Sequence, residues 1–112
     1  MQEASSVPTK SSLSRTKAQL VELMQRVNYG RLEGLAVRRG EPVFNPPPRV
    51  LRDFKPCGDN EKRAESDLSD FALKREVIEL LDHVAGLDNA TIHCVEVREG
   101  LPLKWTVEED AA

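Results

Sequence analysis

Aromatic side chains are scarce in this 112-residue chain, which has one Trp, one Tyr and three Phe. Leucine and valine must therefore supply most of the area that any core buries. The two cysteines, Cys57 and Cys94, make no disulfide framework, and both read as free thiols of a reducing compartment. With His83 and His93 they form the only metal-like set, but it lacks the short Cys-x-x-Cys spacing of structural zinc sites. His93 and Cys94, adjacent on an expected strand, point to opposite faces. No metal ligand is assigned and no cofactor is expected. No early apolar run resembles a signal peptide, and none reaches the length of a membrane span, so the expected location is cytoplasmic with no membrane partner.

The motifs that carry common chemistries are also missing. There is no Gly-x-Ser-x-Gly, no His-Glu-x-x-His and no Gly-x-x-x-x-Gly-Lys followed by Ser or Thr. Gly30, Gly34 and Gly40 do not open a helix after a strand, so they are not a dinucleotide fingerprint. Cys57 sits in a Cys-Gly-Asp-Asn turn context with no identifiable base beside it. No two carboxylates can be singled out for acid–base work. No catalytic residue is assigned, and the expectation is a protein that is not an enzyme.

What is present in quantity is charge, unevenly spread. Residues 1–55 carry ten Lys and Arg against five Asp and Glu, a balance of +5, while residues 56–112 carry six against fourteen, a balance of −8. Such an asymmetry marks either two halves that attract each other or a basic face for nucleic acid. On the second view Arg31, Arg38 and Arg39 would meet phosphates and Tyr29 would offer a stacking face. The acidic whole and the missing aromatic interleaving make nucleic acid the alternative reading only.

The chain also repeats itself. Val37-Arg38-Arg39-Gly40-Glu41-Pro42-Val43 returns 60 residues on as Val97-Arg98-Glu99-Gly100-Leu101-Pro102-Leu103, and at that offset Leu35 falls on Val95 and Leu32 on Ile92. This predicts two copies of a helix followed by a β-hairpin. Ser14 is the candidate N-cap of a first helix to about Val27, its buried face marked by Leu20, Leu23, Met24 and Val27. Gly30, or else Asn28, is placed to end it. A second helix starts at a cap on Ser66 or Asp67, carries Leu73, Val77, Leu80 and Val84 as its stripe, and closes at Gly86. Phe71, Ile78 and Leu81 widen that stripe beyond what a small sheet needs and are the interface candidates.

Each hairpin reads as a three-residue loop ending in Gly, pairing Val37 with Glu41 and Leu35 with Val43. The second copy would pair Val97 with Leu101, Val95 with Leu103 and His93 with Trp105. Pro42 and Pro102 then follow the pair that closes the loop, where the missing N–H faces away from the hairpin. Their strands should be sheet edges, with the two first strands central. Pro46-Pro47-Pro48 reads as an extended connector, and Arg49–Lys55 as a further strand of poor alternation.

Asn28-Tyr29-Gly30-Arg31-Leu32-Glu33-Gly34-Leu35, followed by Gly40-Glu41-Pro42-Val43, resembles a type of small uncharacterised bacterial protein over most of residues 20–108, which implies no activity. The order of elements alone, α-β-β-β-α-β-β, is similar to that of type III secretion chaperones, which are acidic dimers; this is likeness of fold only. The expected architecture is one α+β domain over residues 14–112 behind a disordered tail, 1–13. Its repeat units span about 14–45 and 68–108, with a connector and mobile loop at 46–67. The two helices pack on one face of a mostly antiparallel sheet of four to five strands. The expected function is a non-catalytic binding or assembly module, self-associating as a homodimer and open to a protein partner.

Overall fold

Ser14 starts the first helix as its spacing predicts: its Oγ accepts the Lys17 N–H at 3.4 Å, and α1 follows as Arg15–Val27. The structure, a computed structural model, describes residues 9–56 and 72–109. Asn28, not Gly30, ends α1. It adopts φ 63° and donates its backbone N–H to the Met24 carbonyl, because a short amide side chain tolerates the left-handed region that other residues avoid. Ahead of the helix, Thr9 bridges Ala72 and Lys10–Ser12 makes a 3-10 turn, so described structure begins within the segment expected to be tail.

Five strands follow the helical pattern of the chain: β1 (Tyr29–Arg38), β2 (Glu41–Val43), β3 (Arg49–Arg52), then, after α2 (Arg75–Ala85), β4 (Asn89–Arg98) and β5 (Leu101–Glu108). The result is an α+β fold of two helices packed with a five-stranded antiparallel sheet. The strand order is β2-β1-β4-β5, with β3 also paired to β1. β1 and β4 pair along their whole length, from Tyr29 opposite Arg98 to Arg38 opposite Asn89. Pro42 and Pro102 do lie on the outermost strands of this order.

The hairpin register differs from the expected one. Arg38 lies opposite Glu41 and Arg98 opposite Leu101, so each loop has two residues rather than three. Both loop residues are at positive φ, 55° and 77° for Arg39 and Gly40, 55° and 76° for Glu99 and Gly100. That is the backbone of the type I′ turn, whose twist suits a hairpin. A two-residue loop alone would set Val95 opposite Lys104, an apolar residue against a charge. The second hairpin avoids this with two compensating bulges. Leu103 is the extra residue between the pairs Val97–Pro102 and Glu96–Lys104, and His93 is the extra residue on β4. Trp105 consequently faces Val95, not His93. Either register places proline just after the closing pair, which is why the edge prediction survives the correction.

Helix α2 is shorter at its start than the sequence suggests. It begins at Arg75 after Lys74, whose side chain makes no capping bond; Leu73 is buried but precedes the helix. The expected caps Ser66 and Asp67 lie outside the described residues. Gly86 does close α2, but at φ −83°, so no left-handed glycine is used there.

One core gathers the buried faces of all these elements. Leu20, Met24 and Val27 of α1, Val77, Leu80 and Val84 of α2, Leu32, Leu35 and Val37 of β1, and Ile92, Val95 and Val97 of β4 belong to a single cluster. Val43 and Leu103, which the three-residue register would set opposite Leu35 and Val95, are not in it: Val43 is half-buried opposite Ala36, and the bulge leaves Leu103 59% exposed. Among the described residues, no helix is long and apolar enough to cross a membrane.

Candidate binding groove

The strand that follows the first hairpin turn does not stay in the sheet. Ala36 pairs with Val43 and Glu33 with Arg49, so Gly34 and Leu35 of β1 face five residues, 44–48. Three prolines explain the detour. Pro46, Pro47 and Pro48 have no N–H to give to a ladder and fix φ, so the chain leaves β1 and rejoins it at Arg49. Gly30 makes the return possible. A Cβ built there would lie 2.0 Å from the Leu51 carbonyl oxygen, so only glycine lets β3 come this close.

Between this detour and α1 lies a groove of about 450 Å³. Gln19, Glu22, Leu23 and Arg26, spaced as one helical stripe beside the core stripe, form the α1 wall. Phe44, Pro47, Pro48 and Val50 form the opposite wall. Val50 is 40% exposed beside the cavity. Lys10 reaches in from the 3-10 turn, but its Nζ is 2.6 Å from Glu22 Oε2, which neutralises both. Arg26 has no ion-pair partner among the described residues. Gln25 also lines the groove. It is only 4% exposed, and its amide makes no hydrogen bond among the described residues. A buried amide left unpaired costs roughly 1–3 kcal/mol, so native proteins rarely leave one without a partner.

The residues singled out from sequence lie elsewhere. Tyr29 and Arg38 occupy opposite ends of β1, whose ten residues set them about 30 Å apart. Arg31 Nε is 3.1 Å from Glu33 Oε2, Arg49 approaches the same carboxylate at 3.6 Å, and Arg38 donates to its neighbour Val37's carbonyl. Arg39 sits in the hairpin turn, where its N–H donates to the Asp88 carbonyl. The structure does not gather these four residues into one surface. Of the interface candidates, Leu81 is 5% exposed within the chain's own core, Ile78 packs half-buried against that core, and Phe71 lies outside the described residues.

The expected placing of His93 beside Trp105 is corrected by a different contact. Trp105 Nε1–H donates to His83 Nδ1 at 2.8 Å, the rings tilted by 54°, while His93 is exposed on its bulge. Cys94 is half-buried on a central strand. Burial pushes its thiol pKa up, and the carboxylates of Glu33 and Glu96 add to the shift, so the nucleophilic thiolate is disfavoured. Cys57 is outside the described residues, among which no group of three His, Cys, Asp or Glu could hold a metal ion.

The groove is not legible along the chain because Gln25 falls between two helical stripes and gives no apolar signal. The available hint was Pro46-Pro47-Pro48, read as a connector when its consequence is a gap in the sheet edge. Comparison of the chain with protein-family models, with curated proteins and with solved structures finds no match in any of the three.

Proposed function

We propose that the chain is a non-catalytic binding module whose ligand site is the groove between α1 and the proline detour. The observation that carries this reading is Gln25, a buried amide with no hydrogen-bond partner among the described residues, opening on a cavity of ligand size. A bound ligand supplies the missing hydrogen bonds and covers Val50. The test is a fragment library titrated into the ¹⁵N-labelled chain. Hits should shift the Gln25 side-chain amide and the Leu23 and Val50 backbone amides, and Gln25→Leu should remove them. Hits that map only to other surfaces would overturn the reading.

The frame of the module is, on this proposal, two helix–hairpin units, each with its helix on the same face of the sheet. Supporting this, α1 and α2 begin 60 residues apart, as do β1 and β4, and β2 and β5, and the two turns share their φ angles within a degree. The turns also dock reciprocally: Gly100 N–H donates to the Asn28 carbonyl at 2.9 Å, and Arg39 N–H to that of Asp88. Self-association is the assembly half of the proposal. It rests on the outer edge of β5, where Leu103 stands exposed beside a strand paired, among the described residues, on one side only. Light scattering at micromolar concentration should show a dimer, weakened by Leu103→Lys; a strict monomer would exclude that half.

A further inference from the structure

We infer that the groove's occupant is an extended peptide bearing an acidic residue, laid as an added strand along the outer edge of β3. The inference rests on the groove being the binding site and names what binds there.

The backbone of β3 sets the geometry. Asp53 N–H donates to the Tyr29 carbonyl at 2.7 Å, in register with the β1–β3 pairs, so Tyr29–Asp53 is a hydrogen-bonded pair. Such pairs alternate along an antiparallel ladder. Leu51 and Arg49 therefore turn their backbone groups toward β1, and Val50 and Arg52 turn theirs outward. Among the described residues no strand meets that edge. The three prolines before it have no N–H to offer, so an incoming chain can register only from Arg49 onward. Val50 then does two things at once: its backbone faces the free edge and its side chain lines the groove. A peptide paired with Val50 and Arg52 would send alternate side chains under α1, toward Leu23 and Phe44. Main-chain pairing gives such a complex its affinity, and side-chain pockets its selectivity.

Two further observations fit a peptide with an acidic residue. Gln25 offers both N–H donors and a carbonyl acceptor from the same buried amide, which can meet the C=O and N–H of a peptide group. Arg26 is the groove cation without an ion-pair partner among the described residues, whereas Lys10 and Glu22 neutralise each other at 2.6 Å. Charge complementarity at the rim thus favours a carboxylate.

The test uses the full chain and two capped peptides about six residues long, alternating valine and threonine, one with a central glutamate and one with lysine in its place. The glutamate peptide should shift the Gln25 side-chain amide and slow hydrogen exchange at Val50 and Arg52 about tenfold at saturation. The lysine peptide should bind about tenfold more weakly, and Arg26→Glu, an exposed change that leaves the core untouched, should reverse the preference. Val50→Pro removes the outward N–H and should abolish binding, with fragment binding in the same variant showing that the groove is still formed. Fragments that bind the groove while neither peptide does would overturn the peptide and leave the site. A peptide that binds without protecting Val50 and Arg52 would overturn the added strand. If neither fragments nor peptides bind, the site itself fails.

Discussion

On one side of the sheet the strand after the hairpin turn breaks off at Val43 and rejoins at Arg49; on the other it runs from Leu101 to Glu108 without leaving its partner. The two edges begin alike, with the same turn and the same proline one pair beyond it. They diverge because of how each absorbs extra residues. The second edge takes up single residues as bulges at Leu103 and His93 and stays paired. The first meets three consecutive prolines, which cannot be paired in place, and swings away. A bulge re-aims one side chain; a detour of five residues opens a groove. Gly30 belongs to this difference, since its counterpart 60 residues on is Ala90, which carries the Cβ that Gly30 has no room for.

Both edges hang on one core. Leu35→Ala and Ile92→Ala each empty a fully buried site and should each cost about 3 kcal/mol in denaturant titration. Both should give a single transition; loss of one hairpin alone would mean that the two sides fold separately. A smaller effect isolates the first edge. Gly30→Ala forces a methyl against the Leu51 carbonyl and should cost about 2 kcal/mol, with β3 amides exchanging faster. Ala90→Gly in the second hairpin should cost about 1 kcal/mol or less, the entropy of an added glycine. Equal losses would remove the distinction drawn between the strands.

His83→Ala tests the second edge, where Trp105 is tied to α2. Loss of the Nδ1 acceptor should lower stability by about 1 kcal/mol and shift Trp105 fluorescence. An unchanged spectrum would show that the bond is not made in solution. The smallest effect lies in acid. Ser14 and Thr16 donate to Glu41 at 2.6 and 2.5 Å, and with Lys17 nearby they hold its carboxyl below the usual value. The contribution is therefore complete above the ordinary carboxylate range, near about 4.3, and is lost as pH falls through the lowered folded value. Glu41→Gln should flatten the acid branch of the stability curve. Its counterpart in the second hairpin, Leu101, cannot titrate, so this slope belongs to the first hairpin alone.

How much of this could be read in advance follows the same divide. The Ser14 cap, the α1 and α2 stripes, the central pairing of β1 with β4 and the outer position of both prolines were legible, because periodicity and the missing proline N–H act locally. The loop length was not. Arg39 and Glu99 occupy positive φ at positions where Asn or Asp is usual, so glycine alone could not separate a two-residue turn from a three-residue one. Nor were the bulges legible, since strict alternation runs past a residue that the ladder skips. The groove arises from chain geometry at three prolines together with one helical glutamine, and neither element signals the other along the sequence.

The β1–β4 seam has a kinetic consequence. It joins residues roughly sixty positions apart, so it must form after the local hairpins, and such long-range pairing is slow. Until it closes, each half exposes the inner strand that the finished sheet hides, and neither inner strand carries a proline to blunt it. The prolines act only near the turns of the outer strands, β2 and β5. Refolding yield should therefore fall as protein concentration rises, with mispaired chains joined through β1 and β4 rather than through the outer strands.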